Sequence, residues 1–184
     1  MTTPSNKTTD ARRHAIGSSG TEPSSPAWPP IADLVPHGGA MCLLDEVIEI
    51  GDEHLRARIT PRADDPFADT SATAGPGIPG WVGLEWLAQA IAAWSGHTAR
   101  AQGGTPQIGF LLGARRYHCE VEQFALGAPV EVAIHLDYRA DNGLGAFRGE
   151  LCGTDGVVLA HAVLNVFQPD SADALAAMLE DPAS

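Results

Sequence analysis

The chain has 184 residues, enough for one domain with a tail to spare. Its formal net charge of −12 argues against nucleic acid or an anionic membrane as the main partner, since both want a basic surface. Three scattered cysteines, Cys42, Cys119 and Cys152, lack C-x-x-C spacing, which excludes a cysteine zinc cluster and suits a reduced, cytoplasmic compartment.

Residues 1–29 are rich in Thr, Ser, Pro and Gly and nearly free of large apolar residues, so they read as a disordered tail. They hold no apolar h-region of a secretory signal. A domain is expected over residues 30–169, followed at 170–184 by a short helix and tail. Ile31–Val35 suits a helical turn that Pro36, Gly38 and Gly39 break, and His37 lies on that irregular segment. Met41–Ile50 and His54–Thr60 flank a Gly51-Asp52 turn and read as a hairpin. In its second arm Leu55, Ala57 and Ile59 alternate with His54, Arg56 and Arg58.

Pro61–Gly80 is a long irregular connection, and long loops in compact domains are often functional. From Trp81 to Trp94 the chain is apolar on every side, interrupted by Gly83, Glu85 and Gln89. This run is too short for a bilayer, which needs roughly 20 apolar residues, so a core helix wrapped by the domain is expected. After a polar linker at Ala101–Pro106, strands are expected at Gln107–Arg116, Val130–Arg139, Ala146–Cys152 and Val157–Phe167. In the second, Val130, Val132, Ile134, Leu136 and Tyr138 share one face. Pro169 stops the last strand, and Ala172–Glu180 suits an amphipathic helix behind a cap at Asp170 or Ser171. A hairpin, a buried helix and an antiparallel meander make an α+β layer architecture.

Glu85 is the first candidate for chemistry. A carboxylate in an apolar helix is costly unless something uses it, and Glu85 lies near the helix start, where backbone N–H groups and the dipole favour anions. Capping or ion pairing is its alternative reading. Gln89 is four residues on and shares the face of Glu85. Backbone N–H groups at the helix start, around Gly80 and Trp81, suit a polarised carbonyl oxygen. No two histidines show metal-ligand spacing with an acid, so no metal and no cofactor is expected.

Three blocks resemble the hotdog-fold β-hydroxyacyl-[acyl-carrier-protein] dehydratases. Leu34–Val47, L-V-P-H-G-G-A-M-C-L-L-D-E-V, is similar to the family's N-terminal L-P-H-R-x-P-x-L-L-x-D-x-V. The helix, P-G-W-V-G-L-E-W-L-A-Q-A, is similar to P-G-x-x-x-x-E-x-x-A-Q. Gly109–Gly127, with G-F-L-L-G-A-R-R-Y, stands where the family's docking strand does. The helix and that strand resemble most the dehydratase-like proteins of aryl-polyene biosynthesis. The resemblance spans about Ile31 to Gln168. It implies an antiparallel sheet wrapped around the helix, and pairing of subunits through their sheets with active sites at the interface.

The resemblance also implies dehydration of a 3-hydroxyacyl thioester on an acyl carrier protein. Glu85 matches the family's catalytic acid, and burial would suit it to acid work. The loop that carries the family's catalytic histidine reads A-D-T-S-A-T-A-G-P-G, with Ser71 in its place and no histidine from Pro61 to Trp94. His37, between Pro36 and two glycines, is the replacement candidate; its alternative is to order the N-terminal segment. Gly80, Trp81 and Gln89 are the expected substrate-binding residues. Arg115 and Arg116, in a chain of 11 basic against 23 acidic residues, would dock the acidic carrier, with Arg62 joining them; a solvated strand end is the alternative. The other functional readings are a non-catalytic hotdog subunit that pairs with an active dehydratase, and a hotdog thioesterase or hydratase. Homodimer and heterodimer both stay open.

Overall fold

The structure is a computed structural model that describes Met1, residues 28–71 and residues 75–169. Most of the expected N-terminal tail and the expected helix over Ala172–Glu180 lie outside the described residues. Six strands form one antiparallel sheet: β1 (Glu46–Ile50), β2 (His54–Ile59), β4 (Phe110–Cys119), β6 (Val130–Arg139), β7 (Leu144–Gly153) and β8 (Val158–Phe167). Their order is β1-β2-β6-β7-β8-β4, so β1 and β4 are the edges. A second pairing joins β3 (Gly77–Pro79) to β5 (Gln123–Ala125). It falls inside the stretch expected to be wholly irregular and ties the approach to the helix to the far side of the chain.

The alternation in β2 does what the pattern demands: Leu55, Ala57 and Ile59 are buried. In β6 the alternation holds through Val130, Val132 and Ile134. A bulge between Leu136 and Tyr138 in the β6–β7 register then shifts the pleat, and Tyr138 points outward at 64% exposure. One extra residue in a strand sends the next side chain to the other face, which overturns the expected inward Tyr138. The strand expected at Gln107–Arg116 runs three residues later. β4 pairs with β8 from Phe110 opposite Phe167 to Cys119 opposite Ala160, with irregularities between Leu111 and Gly113 and between Arg115 and His118.

The helix α1 spans Gly83–Ala101, behind a 3-10 turn at Gly80–Val82. It packs against β2, β4, β6, β7 and β8. Trp86, Leu87, Gln89 and Ala90 are fully buried; Trp86 packs at a tilt on Phe124 with ring centres 4.6 Å apart, and Trp94 meets Phe147 edge-on at 5.5 Å. Removing a buried aromatic of this kind costs about 3–5 kcal/mol. The helix is not buried all round, however. Trp81 in the preceding turn is 62% exposed, and Glu85, Ala88, Ala92 and Ser95 are half-buried along one stripe. At Gly96 the helix meets the N-terminal segment so closely that a Cβ would lie 2.0 Å from the carbonyl oxygen of Leu34. Among the described residues no helix is long and apolar enough to cross a membrane.

Candidate active site

The half-buried stripe of α1 forms one wall of a cavity of about 170 Å³. Glu85, Ala88, Ala92 and Ser95 follow helical spacing, so their side chains stack along one face. The opposite wall comes from Gly109 and the start of β4 (Phe110, Leu111), from the facing ends of β6 and β7, and from Val166 to Gln168. His37 and Pro36 close one end.

At that end His37 Nε2 stands 3.7 Å from Glu85 Oε1. The separation is within reach of an ion pair but longer than a hydrogen bond. About a third of each side chain is exposed, which corrects the expectation of a buried Glu85. Half-buried, it meets water and ligand alike, and the wholly apolar surroundings expected for it are absent. His37 Nδ1 is buried with no hydrogen-bond partner.

Gln89 explains why these two groups meet. Its Oε1 accepts from the Leu43 N–H at 3.0 Å, and its Nε2 donates to the Met41 carbonyl at 2.8 Å and to Glu85 Oε1 at 3.0 Å. Both amide hydrogens and the carbonyl are therefore engaged within the chain. One side chain fastens α1 to residues 41–43, just after His37, and holds the Glu85 carboxylate by one oxygen. Gln89 is fully buried and does not line the cavity, so its amide orients Glu85 and has no group left for substrate.

The helix start departs from expectation too. The Gly80 N–H donates to the Glu122 carbonyl at 2.8 Å, so it is spent and cannot serve a thioester oxygen. The Gly80 carbonyl accepts from the Tyr117 hydroxyl and from the Gly83 N–H. Gly83 has no room for a side chain, since a Cβ there would lie 2.6 Å from the Tyr117 oxygen. The Trp81 ring packs edge-on to Phe67 at 5.6 Å. Neither Gly80 nor Trp81 lines the cavity that holds Glu85. Within one chain, the helix start and the Glu85–His37 pair face different spaces.

Ser71 sits outside the cavity as well. Its N–H and hydroxyl both donate to Asp69 Oδ1, at 2.8 and 2.9 Å, in a local turn of the kind Asp favours. Arg115 and Arg116 are exposed on the edge strand β4, and no ion pair holds either among the described residues. Arg116 has φ +57°, a left-handed backbone at the bulge. Arg62 does not join them: its guanidinium is tied to Asp45 at 2.7 Å. Among the described residues no group of three or more His, Cys, Asp or Glu could hold a metal ion.

Sequence reasoning missed Tyr117, Ser95, Arg139 and Gln168. Tyr117 lies inward only because the β4 bulge shifts it, and burial, then the neighbouring Cys119, raises its phenol above the usual range and keeps it a donor. The other three meet at the cavity from distant stretches of chain. Only Ser95 carried a signal, as the polar member of the stripe that begins at Glu85.

Comparison with known proteins bears on the family and the fold. Residues 29–179 match the family model described as ApeP-like, ApeP dehydratase. The dehydratase heterocomplex ApeI:P from Xenorhabdus doucetiae superposes with a TM-score of 0.74 at 31% identity, over 83% of this chain and 98% of that one. More distant solved structures share the fold alone. AziG of S. sahachiroi matches at 13% identity with a TM-score of 0.51, over 68% of this chain and 90% of its own. The PaaI protein of E. coli matches at 11% with a TM-score of 0.50, over 66% and 81%. Among curated proteins none matches the sequence. The architecture is the hotdog fold, and with both the family model and the Xenorhabdus complex covering most of it, the chain belongs to the ApeP-like dehydratase family.

Proposed function

We propose that the chain dehydrates 3-hydroxyacyl groups carried as thioesters on an acyl carrier protein, in the building of a polyene chain, with Glu85 and His37 as the acid–base pair. The observation that carries this reading is the meeting of His37 Nε2 and Glu85 Oε1 at 3.7 Å at one end of an apolar cavity. His37 Nε2 takes the C2 proton, and the electron pair moves into the C1–C2 bond as the thioester oxygen becomes enolate-like. The C2–C3 double bond then forms, the C3–O bond breaks, and the Glu85 carboxyl gives its proton to the departing hydroxyl. The products are a 2-enoyl thioester and water. Glu85 is left ionised and His37 protonated, and their proximity lets the proton return. Gln89 donates to Oε1, the Glu85 oxygen nearest His37, and so fixes the carboxyl in the position from which that exchange runs.

The helix start faces away from the cavity of its own chain, and β4 is an unpaired edge. Both features favour a second hotdog subunit beside β4; the similar Xenorhabdus protein is part of a dehydratase heterocomplex. Arg115 and Arg116 then form the basic patch for an acidic carrier. The cytoplasm, where carrier-bound chains are extended, is the compartment this implies.

The test is loss of water from a purified 3-hydroxyacyl carrier-protein thioester. Replacing Glu85 by Gln or His37 by Asn is expected to cut the rate about 10²–10⁴-fold, the usual worth of a placed acid or base. Full activity in Glu85→Gln sinks the assignment. A second reading has Ser71 in its favour: a chain without the loop histidine supports an active partner subunit. In that case turnover appears only with a histidine-bearing hotdog partner and survives both substitutions. Release of free thiol in the same assay would instead mark a thioesterase.

A further inference from the structure

The cavity is polar at both ends and apolar between them. Glu85 and His37 form the first end, and Ala88, Ala92, Phe110 and Val166 line the middle. At the far end lie Ser95, Gln168 and Arg139. Ser95 is ten residues along α1 from Glu85, which places it about 15 Å away along the axis. Its hydroxyl donates to Gln168 Oε1 at 2.9 Å. The backbone of Gln168 donates to the Gly143 carbonyl at 2.9 Å, which sets residue 168 against the β6–β7 turn that follows Arg139. No ion pair holds Arg139 among the described residues.

The donor count at this end is one-sided. Ser95 spends its hydrogen on Gln168 Oε1, so the Gln168 amide hydrogens and the Arg139 guanidinium remain to donate. Gln168 is half-buried and Arg139 is exposed at the mouth of the cavity, so a chain that ended in a methyl group would set hydrocarbon against the Gln168 amide and strip water from the guanidinium, at a cost. A chain that ended in an oxygen acceptor would satisfy them. We infer that Ser95, Gln168 and Arg139 form a specificity subsite for an acyl chain bearing an oxygen acceptor, a hydroxyl or a carboxylate, at the end remote from the thioester. The inference rests on the dehydratase reading, in which Glu85 and His37 mark the thioester end.

The experiment uses the full chain and three pantetheine thioether analogues, which cannot turn over. All are of one length, sufficient to span the cavity, and they end in methyl, hydroxyl or carboxylate. Equilibrium affinities are compared for wild type, Gln168→Leu and Arg139→Leu. The expected result is that an oxygen-ended analogue binds about tenfold more tightly than the methyl-ended one, the worth of a hydrogen bond to a charged donor. The hydroxyl and carboxylate arms tell which oxygen group is read. Each substitution is expected to bring the ratio towards one while affinity for the methyl-ended analogue holds or rises. That last readout separates a subsite from a fold merely loosened by the change. Equal binding of all three analogues by wild type, or a uniform loss across them in the variants, overturns the subsite and leaves the dehydratase reading standing. Binding of none overturns both.

Discussion

The two edges of the sheet are built on opposite rules. Around β1 and β2 every arginine has a carboxylate: Arg58 meets Glu46 at 2.5 Å, Arg56 meets Glu131 at 2.7 Å and Glu49 at 3.1 Å, and Arg62 meets Asp45 at 2.7 Å. At β4 no ion pair holds an arginine among the described residues, and a run of large apolar side chains is exposed: Ile108 at 51%, Phe110 and Leu111 at 38%, and Leu112 at 60%. A charged edge resists pairing with another chain, while an apolar edge with open backbone groups invites it. The cavity lies under the inviting edge, with Phe110 and Leu111 in its wall. One edge closes the sheet off, and the other joins the site to a surface awaiting cover.

Substitutions can break or sharpen that contrast. The largest effect is expected from Leu112→Asp, which sets a charge in the centre of the apolar edge. Affinity for a co-expressed hotdog partner should fall by about 2 kcal/mol or more, measured by analytical ultracentrifugation, with little change in the thermal midpoint of the chain alone. An undiminished complex would show that β4 is not the joined edge. Next comes the double reversal Arg115→Glu with Arg116→Glu. KM for a carrier-bound substrate should rise about tenfold and kcat should hold, and the difference should shrink as salt is added.

Beneath the same strand, Tyr117→Phe removes the hydroxyl that donates to Gly80. The Gly80 carbonyl keeps the Gly83 N–H, so the loss should be about 1 kcal/mol in urea unfolding. This substitution also has a pH signature. Burial raises the phenol in the folded state, so its contribution is fully present below the unfolded value, about pH 10, and is lost as pH rises beyond it. Tyr117→Phe should flatten that alkaline decline. The smallest effect is expected at the guarded edge: Arg58→Ala breaks an exposed pair and should cost no more than about 0.5 kcal/mol. A larger loss there would mean the β1 charges carry stability rather than protection.

These contrasts also mark what the sequence made legible. The alternation in β2 and in the first half of β6 was readable because each residue's face depends only on its neighbours. The bulge that turns Tyr138 outward was not, since it arises from the pairing with β7. Glu85 and Gln89 could be placed on one face by spacing alone. That Gln89 turns inward to residues 41–43 depends on contacts 46 and 48 positions away in the chain. The approach of His37 to Glu85 was suggested by a family block, and nothing in spacing or periodicity required it. Gly80 was misread for a related reason: the helix start looked open, and β5's approach, which places Glu122 on its N–H, left no local trace.

The contact at Gly96 has a mechanical consequence. The bare Cα of Gly96 sets how near the backbone around Leu34 can come to the helix, and that backbone leads within three residues to His37. One absent methyl group thus acts as a spacer for the gap between His37 and Glu85, eleven residues from Glu85 and outside the cavity. Alanine at 96 would wedge the N-terminal segment outward and widen the 3.7 Å separation without touching either side chain of the pair. The tolerance of this site is therefore held at a packing contact, where a chemically silent change can disable it.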